Sequence, residues 1–236
     1  DDSSHLPIEG AFYTTSSYNN SEFNYFREEE KFDLSKILKD ITDDEENLVL
    51  RDNNLFEIKN NQEFLTNKNP ETPTNKICTS LFSKKRFSFL LQYGFAYLSD
   101  QGEIEKHVIR YQQLFAIENI KKNLEKSIQK GIIWHTQGSG KTALTFFSVK
   151  FLINYFKNKK IIPKFYFIVD RLDLLKQANS EFSIRGLEVN NVNSKEEFLS
   201  NIKSKKAIHN DLGKNEITVV NIQKFKDERD IINNND

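Results

Sequence analysis

The chain has 236 residues, with 34 Lys plus Arg against 34 Asp plus Glu, 37% hydrophobic and 12% aromatic. That content supplies a core for one large or two small domains, and neutrality leaves any contact with a polyanion to a local surface. A single cysteine, Cys78, excludes an internal disulfide framework, and no apolar run approaches the roughly 20 residues of a membrane span, so the expected setting is cytoplasmic, without membrane contact.

There is no methionine, the first residues are Asp1-Asp2-Ser3-Ser4 and the last are Asn233-Asn234-Asn235-Asp236, so the chain reads as a piece of something longer. Residues 1 to about 75 are rich in Asn, Asp, Glu and Ser, with aromatic islands at Ala11-Phe12-Tyr13 and Phe23-Asn24-Tyr25-Phe26. Residues 32–38 have helical spacing, Leu48-Val49-Leu50 is a candidate strand, and residues 67–75, with Pro70 and Pro73, read as a boundary loop. Asp52 and Glu57-Ile58-Lys59 spell the D…E-x-K pattern of metal-dependent phosphodiesterases, but with so many acids and lysines around them they read as a solvated charged turn.

From residue 81 to 98 an apolar and basic run predicts a helix leading into a strand at Phe95-Ala96-Tyr97-Leu98, and Lys84-Lys85-Arg86 reads as its solvated end. A further helix face is marked by Ala116, Ile117, Ile120 and Leu124. Just ahead of it, Arg110, Gln113 and Ala116 fit the R-x-x-Q-x-x-A spacing found upstream of the phosphate loop in helicase-like motors. A glutamine amide carries a donor and an acceptor side by side, which matches the N7 and N6 edge of adenine.

The centre of the chain is Trp134-His135-Thr136-Gln137-Gly138-Ser139-Gly140-Lys141-Thr142. Gly138 and Gly140 allow a tight turn whose N–H groups face an anion, and Gln137 and Ser139 complete the loop. Lys141 is expected to reach the β- and γ-phosphates of ATP, Thr142 to hold Mg²⁺, and the helix that starts there to point its positive end at the same phosphates. His135 stands where the strict motif has glycine. The run Gly131-Ile132-Ile133-Trp134 predicts a buried strand leading in, and residues 143–152 a packed helix leading out.

Beyond the loop, residues 163–171 predict a buried parallel strand ending in Asp170-Arg171, residues 172–182 a helix, residues 189–192 a strand, residues 195–208 an amphipathic helix, and residues 216–225 a last strand ending in polar groups. Strands alternating with helices specify a parallel, doubly wound α/β sheet.

Taken together, I-I-W-H-T-Q-G-S-G-K-T, F-Y-F-I-V-D-R-L-D-L-L-K-Q and I-T-V-V-N-I-Q-K-F resemble the motor and nuclease subunit of type I restriction enzymes. The resemblance runs over about residues 81–236, with Trp134-His135-Thr136, Val169-Asp170-Arg171, Asp173 and Gln177 as its specific marks. It implies an incomplete P-loop sheet of RecA-like type. Residues 105–236 would be the first half of the first ATPase lobe, 81–104 a connecting helix and strand, and 1–80 the irregular mixed α+β tail of a nuclease domain with its linker. It also implies an ATP-driven translocase of double-stranded DNA that cuts unmethylated DNA in company with methylation and specificity subunits. Carried over, Lys141, Thr142 and Gln113, with Arg110 beside it, serve ATP and Mg²⁺, while Asp170, Arg171, Gln223 and Lys224 lie near the DNA track.

No D-E-x-H box follows Phe225, and the family's second lobe and nuclease carboxylates are not found, so the chain alone is expected to bind ATP without turnover. Two other readings stay open: another helicase-like ATP-dependent DNA motor, and a truncated nucleotide-binding module without chemistry. An unrelated P-loop kinase would leave Gln113 and Asp170-Arg171 without a role.

Overall fold

The computed structural model describes residues 9–14, 23–28, 41–68, 78–100, 103–204, 206 and 214–225. The chain forms two compact units, one of residues 1–94 with 110–115, the other of residues 95–109 with 116–236.

In the first unit the two aromatic islands pair as an antiparallel hairpin, β1 (Glu9–Thr14) with β2 (Phe23–Arg27), whose register shifts between Ala11 and Tyr13. The candidate strand at 48–50 is instead the middle of helix α1 (Asp43–Asp52). Its start is dictated locally: Thr42 Oγ1 accepts from Glu45 N at 3.3 Å while the Glu45 carboxylate accepts from Thr42 N at 2.9 Å. This reciprocal cap, with Asp43, Asp44, Glu45 and Glu46 on the positive end of the helix dipole, overrides the strand preference of one valine. Leu50 is buried, and the buried Glu46 carboxylate is held by the Lys68 ammonium at 2.6 Å.

A 3₁₀ turn (Phe56–Asn60) and the short helix α2 (Gln62–Asn67) follow. Lys59 donates to Asn47 Oδ1 at 2.6 Å, and Asp52 and Glu57 are exposed, in agreement with a solvated turn. The predicted helix at 32–38 lies outside the described residues, as does most of the predicted loop at 67–75. Helix α3 (Lys84–Tyr93) runs where the apolar and basic pattern places it, but Arg86 points inward, only 3% exposed, rather than into solvent.

The second unit opens with an antiparallel hairpin, β3 (Phe95–Asp100) with β4 (Glu103–Val108). Helix α4 (Tyr111–Glu125) starts in the first unit and continues in the second. Helix α5 (Lys141–Lys157) buries Leu144, Phe146, Phe147, Val149 and Phe151. Its Lys150 ammonium donates to Phe95 O at 2.9 Å, and burial lowers the pKa of that lysine.

Three strands form a parallel sheet in the order β5 (Tyr166–Val169), β7 (Glu216–Asn221), β6 (Glu188–Val192). The last strand in sequence is the middle one in space. It has neighbours on both sides, so its apolar run is buried from Ile217 to Asn221, whereas Ile168 on the outer strand β5 is 51% exposed. Helix α6 (Leu172–Ile184) packs on β6, β7 and α5 through its buried face of Ala178 and Phe182, and α7 (Lys195–Lys203) packs on β6. Helix α7 stops at Lys203, short of the predicted residue 208, and β7 gives way to a 3₁₀ turn (Ile222–Phe225).

One predicted strand does not form. Gly131-Ile132-Ile133-Trp134 is an irregular stretch, with Ile132 and Trp134 each 91% exposed. A strand needs a neighbour to take its N–H and C=O groups, and among the described residues none pairs with this segment.

Candidate functional site

The loop at 136–140 is shaped by its two glycines. Gly138 at φ 79° and Gly140 at φ 76° occupy left-handed backbone, which costs a side-chain-bearing residue strain, and Gly140 is the N-cap from which α5 departs. Residues 136–139 fold around a single acceptor. Thr136 O takes the Ser139 hydroxyl at 2.8 Å, the Ser139 N–H at 3.4 Å and the Lys141 ammonium at 2.7 Å. Lys141 thus crosses the mouth of its own loop and neutralises a carbonyl dipole there. A triphosphate offers the same ammonium a full negative charge, a stronger partner than a neutral carbonyl.

Gln137 and Gly138 are exposed on the loop, and Thr142, half-buried, sits in the first turn of α5. Helix α5 is long enough to hold a firm dipole, and its first turn carries no acid that would repel an anion. These features fit a polyphosphate: donors, a cation and left-handed backbone meet at one helix start. Among the described residues there is no group of three or more His, Cys, Asp or Glu side chains able to hold a metal ion. His135 Nδ1 is buried and has no hydrogen-bond partner among the described residues.

Arg110 and Gln113 belong to the first unit, and the loop residues 137–142 to the second. Their spacing has a local structural use. Leu114 N donates to Arg110 O at 2.9 Å to begin α4, and Gln113 Oε1 accepts from Arg110 N at 3.0 Å. This is half of a capping box, and it fixes the plane of the Gln113 amide. Gln113 is 3% exposed. Its neighbour Gln112, to which sequence reasoning assigned nothing, has its Oε1 buried without a hydrogen-bond partner among the described residues. The only sequence signal for it was adjacency to Gln113.

The structure brings Asp170-Arg171 and Gln223-Lys224 to one edge. Val169 is in register with Asn221, so the residues that follow leave neighbouring parallel strands side by side at their carboxyl ends, where such sheets bind ligands. Arg171 is exposed and forks onto Asp173, Nε to Oδ1 at 3.1 Å and Nη2 to Oδ2 at 2.5 Å. The hydrogen bonds from Arg171 hold the Asp173 carboxyl below its ordinary pKa. Gln223 is exposed, and its N–H donates to Asn221 Oδ1 at 2.8 Å. Asn221 itself was missed by the sequence reading: it is 0% exposed, and its Nδ2 has no hydrogen-bond partner among the described residues. A single amide closing an apolar strand was the available signal.

Against known proteins, the profile of the SWI2/SNF2 ATPase family matches residues 112–236, more than half of the chain. The chain is 31% identical over 158 residues to a type I restriction enzyme endonuclease subunit of Methanocaldococcus jannaschii, a match that takes in 59% of this chain and 14% of that one. A second such subunit of the same organism is 28% identical over 123 residues, 49% of this chain and 12% of the relative. A type I restriction enzyme endonuclease subunit of Staphylococcus aureus strain COL is 36% identical over 75 residues, 32% and 8% of the two lengths. The resemblance carried by the motifs is thus met in named restriction subunits, of which this chain spans a small part. Among the described residues no helix is long and apolar enough to cross a membrane.

Proposed function

The chain belongs to the SWI2/SNF2 ATPase family, and from that premise we propose that it is the ATP-binding part of the DNA-translocating and DNA-cleaving subunit of a type I restriction system. The observation that carries this reading is the start of α5, where two left-handed glycines and the Lys141 ammonium surround one carbonyl that a phosphate would replace. In this proposal residues 105–236 are the first part of a RecA-like lobe. Gln137, Gly138, Ser139 and Gly140 would cradle the phosphates with backbone N–H groups, Lys141 would reach the β- and γ-phosphates, and the Thr142 hydroxyl would hold Mg²⁺. Bound Mg²⁺ would neutralise charge on the phosphates.

Gln113 would read adenine. A glutamine amide carries a donor and an acceptor side by side, which matches the N7 and N6 edge of adenine. The edge formed by Asp170, Arg171, Gln223 and Lys224 would follow the duplex through its backbone, without reading bases. In the full assembly, with methylation and specificity subunits, this motor would drive cleavage of unmethylated foreign DNA. The broader reading, an ATP-dependent DNA motor without a nuclease, is favoured by the generality of the SWI2/SNF2 match.

The test is a titration of residues 1–236 with a fluorescent ATP analogue, followed by displacement with ATP and with GTP. ATP should displace better than GTP, Gln113→Ala should remove that preference, and Lys141→Ala should weaken both nucleotides. Equal displacement by GTP in the wild-type chain would remove Gln113 from the reading, and tight binding by Lys141→Ala would remove the loop.

A further inference from the structure

The central strand of the parallel sheet ends on an amide. Ile217, Val219 and Val220 are buried along β7, and the strand closes on Asn221, which is buried as completely as they are. Only half of that amide is used: Oδ1 accepts from Gln223 N at 2.8 Å, while Nδ2 has no hydrogen-bond partner among the described residues. A buried donor left unmatched weakens the folded state, so an aliphatic side chain would suit the core better at this position. Stability therefore does not account for the amide.

Its place in the sheet does. β6 ends opposite Val220 and β5 opposite Asn221, so beyond Asn221 no strand among the described residues faces the chain. The Asn221 side-chain carbonyl takes the N–H two residues on, a local bond that competes with extended backbone, and the chain passes at once into the 3₁₀ turn Ile222–Phe225. Gln223 and Lys224 belong to that turn, and Gln223 is exposed.

We propose that Asn221 is a positioning residue of the sheet edge: its side-chain carbonyl turns the chain out of β7 and so sets Gln223 beside the end of β5, where Asp170 and Arg171 leave the sheet. All of these residues belong to one compact unit. The proposal rests on this edge being the surface that follows the duplex backbone. It assigns the presentation of that surface to a buried side chain that touches no ligand itself.

Asn221→Val and Asn221→Thr test it in the 236-residue chain. The two replacements share one shape and carry no charge, but the threonine hydroxyl can accept the Gln223 N–H as the amide does, more weakly. Three quantities are read: hydrogen exchange at the Gln223 amide, affinity for a fluorescent DNA duplex at low salt, and the urea midpoint of unfolding. Asn221→Val should speed exchange at Gln223 and weaken duplex binding, each about tenfold. Its urea midpoint should be unchanged or higher, because the unmatched donor is gone and water reaches the exposed Gln223. Asn221→Thr should recover part of both losses. A merely structural role would lower the urea midpoint and weaken binding in step with it, without recovery by threonine, and that result overturns the proposal. Wild-type binding by Asn221→Val, with Gln223→Ala and Arg171→Ala both weakened, overturns the role of Asn221 and keeps the edge. Wild-type binding by both Gln223→Ala and Arg171→Ala overturns the reading of the edge on which the proposal rests.

Discussion

At the scale of a residue, Lys141 is the most exposed to test. In the free chain its ammonium rests on Thr136 O, a neutral acceptor, and a triphosphate would give it a charged one. Charge-assisted contacts of this kind contribute roughly 1.5 to 3 kcal/mol, so Lys141→Ala should weaken ATP by about ten- to a hundredfold in the titration. Chemistry is a separate question from binding. Phosphate release by residues 1–236 should be negligible, because hydrolysis needs a carboxylate held at a strand end to orient water. Steady release by residues 1–236 would show that another carboxylate of the chain, Asp170 first, completes the site.

At the scale of an element, α6 ties the sheet to the rest of its unit. Its N-cap is Arg171 and its first turn holds Asp173, whose charge suits the positive end of the helix and is forked by the Arg171 guanidinium. Its other face is apolar. Phe182 is 0% exposed and meets Phe167 of β5 edge-on, with centroids 5.2 Å apart and planes at 86°. Deleting that ring leaves a cavity beneath the sheet, and Phe182→Ala should cost about 3 to 5 kcal/mol in denaturant unfolding. A loss under 1 kcal/mol would mean that α6 does not pack as described. Because Arg171 leads into this helix from the sheet edge, the same variant should also loosen whatever binds there.

At the scale of the molecule, the balance of charge matters more than any one contact. With net charge +0 the chain has no net long-range attraction for DNA, so in the proposed reading binding would come from a local surface, the carboxyl edge of the sheet that carries Arg171. Duplex binding should therefore be weak, independent of sequence and steeply dependent on salt, since each phosphate neutralised releases counterions. Arg171→Ala should reduce the slope of log affinity against log salt by about one, as expected for one lost phosphate contact. A flat salt response in the wild-type chain would remove the sheet edge from the DNA track.

How much of this was legible beforehand follows the range of the interactions. Local rules were readable: glycines at 138 and 140, Lys141 opening a helix, apolar periodicity along α5 and α6, and the alternation that specifies a parallel sheet. Even the R-x-x-Q spacing is local, since Gln113 caps Arg110 three residues away. Misreadings arose where something outside the run itself decides, a nearby cap or a distant partner. Leu48-Val49-Leu50 looked like a strand until the Thr42 and Glu45 cap was counted, and Arg86 looked like a solvated end although Glu28, 58 residues away, draws it inside. Ile132 and Trp134 have the apolarity of a strand without a neighbour to bond among the described residues. The order β5-β7-β6, which sets Arg171 and Gln223 at adjacent strand ends, was decided by the tertiary structure, because the hydrogen bonds between its parallel strands join residues 52 apart from β5 to β7 and 28 apart from β6 to β7 and leave no periodic mark in the chain.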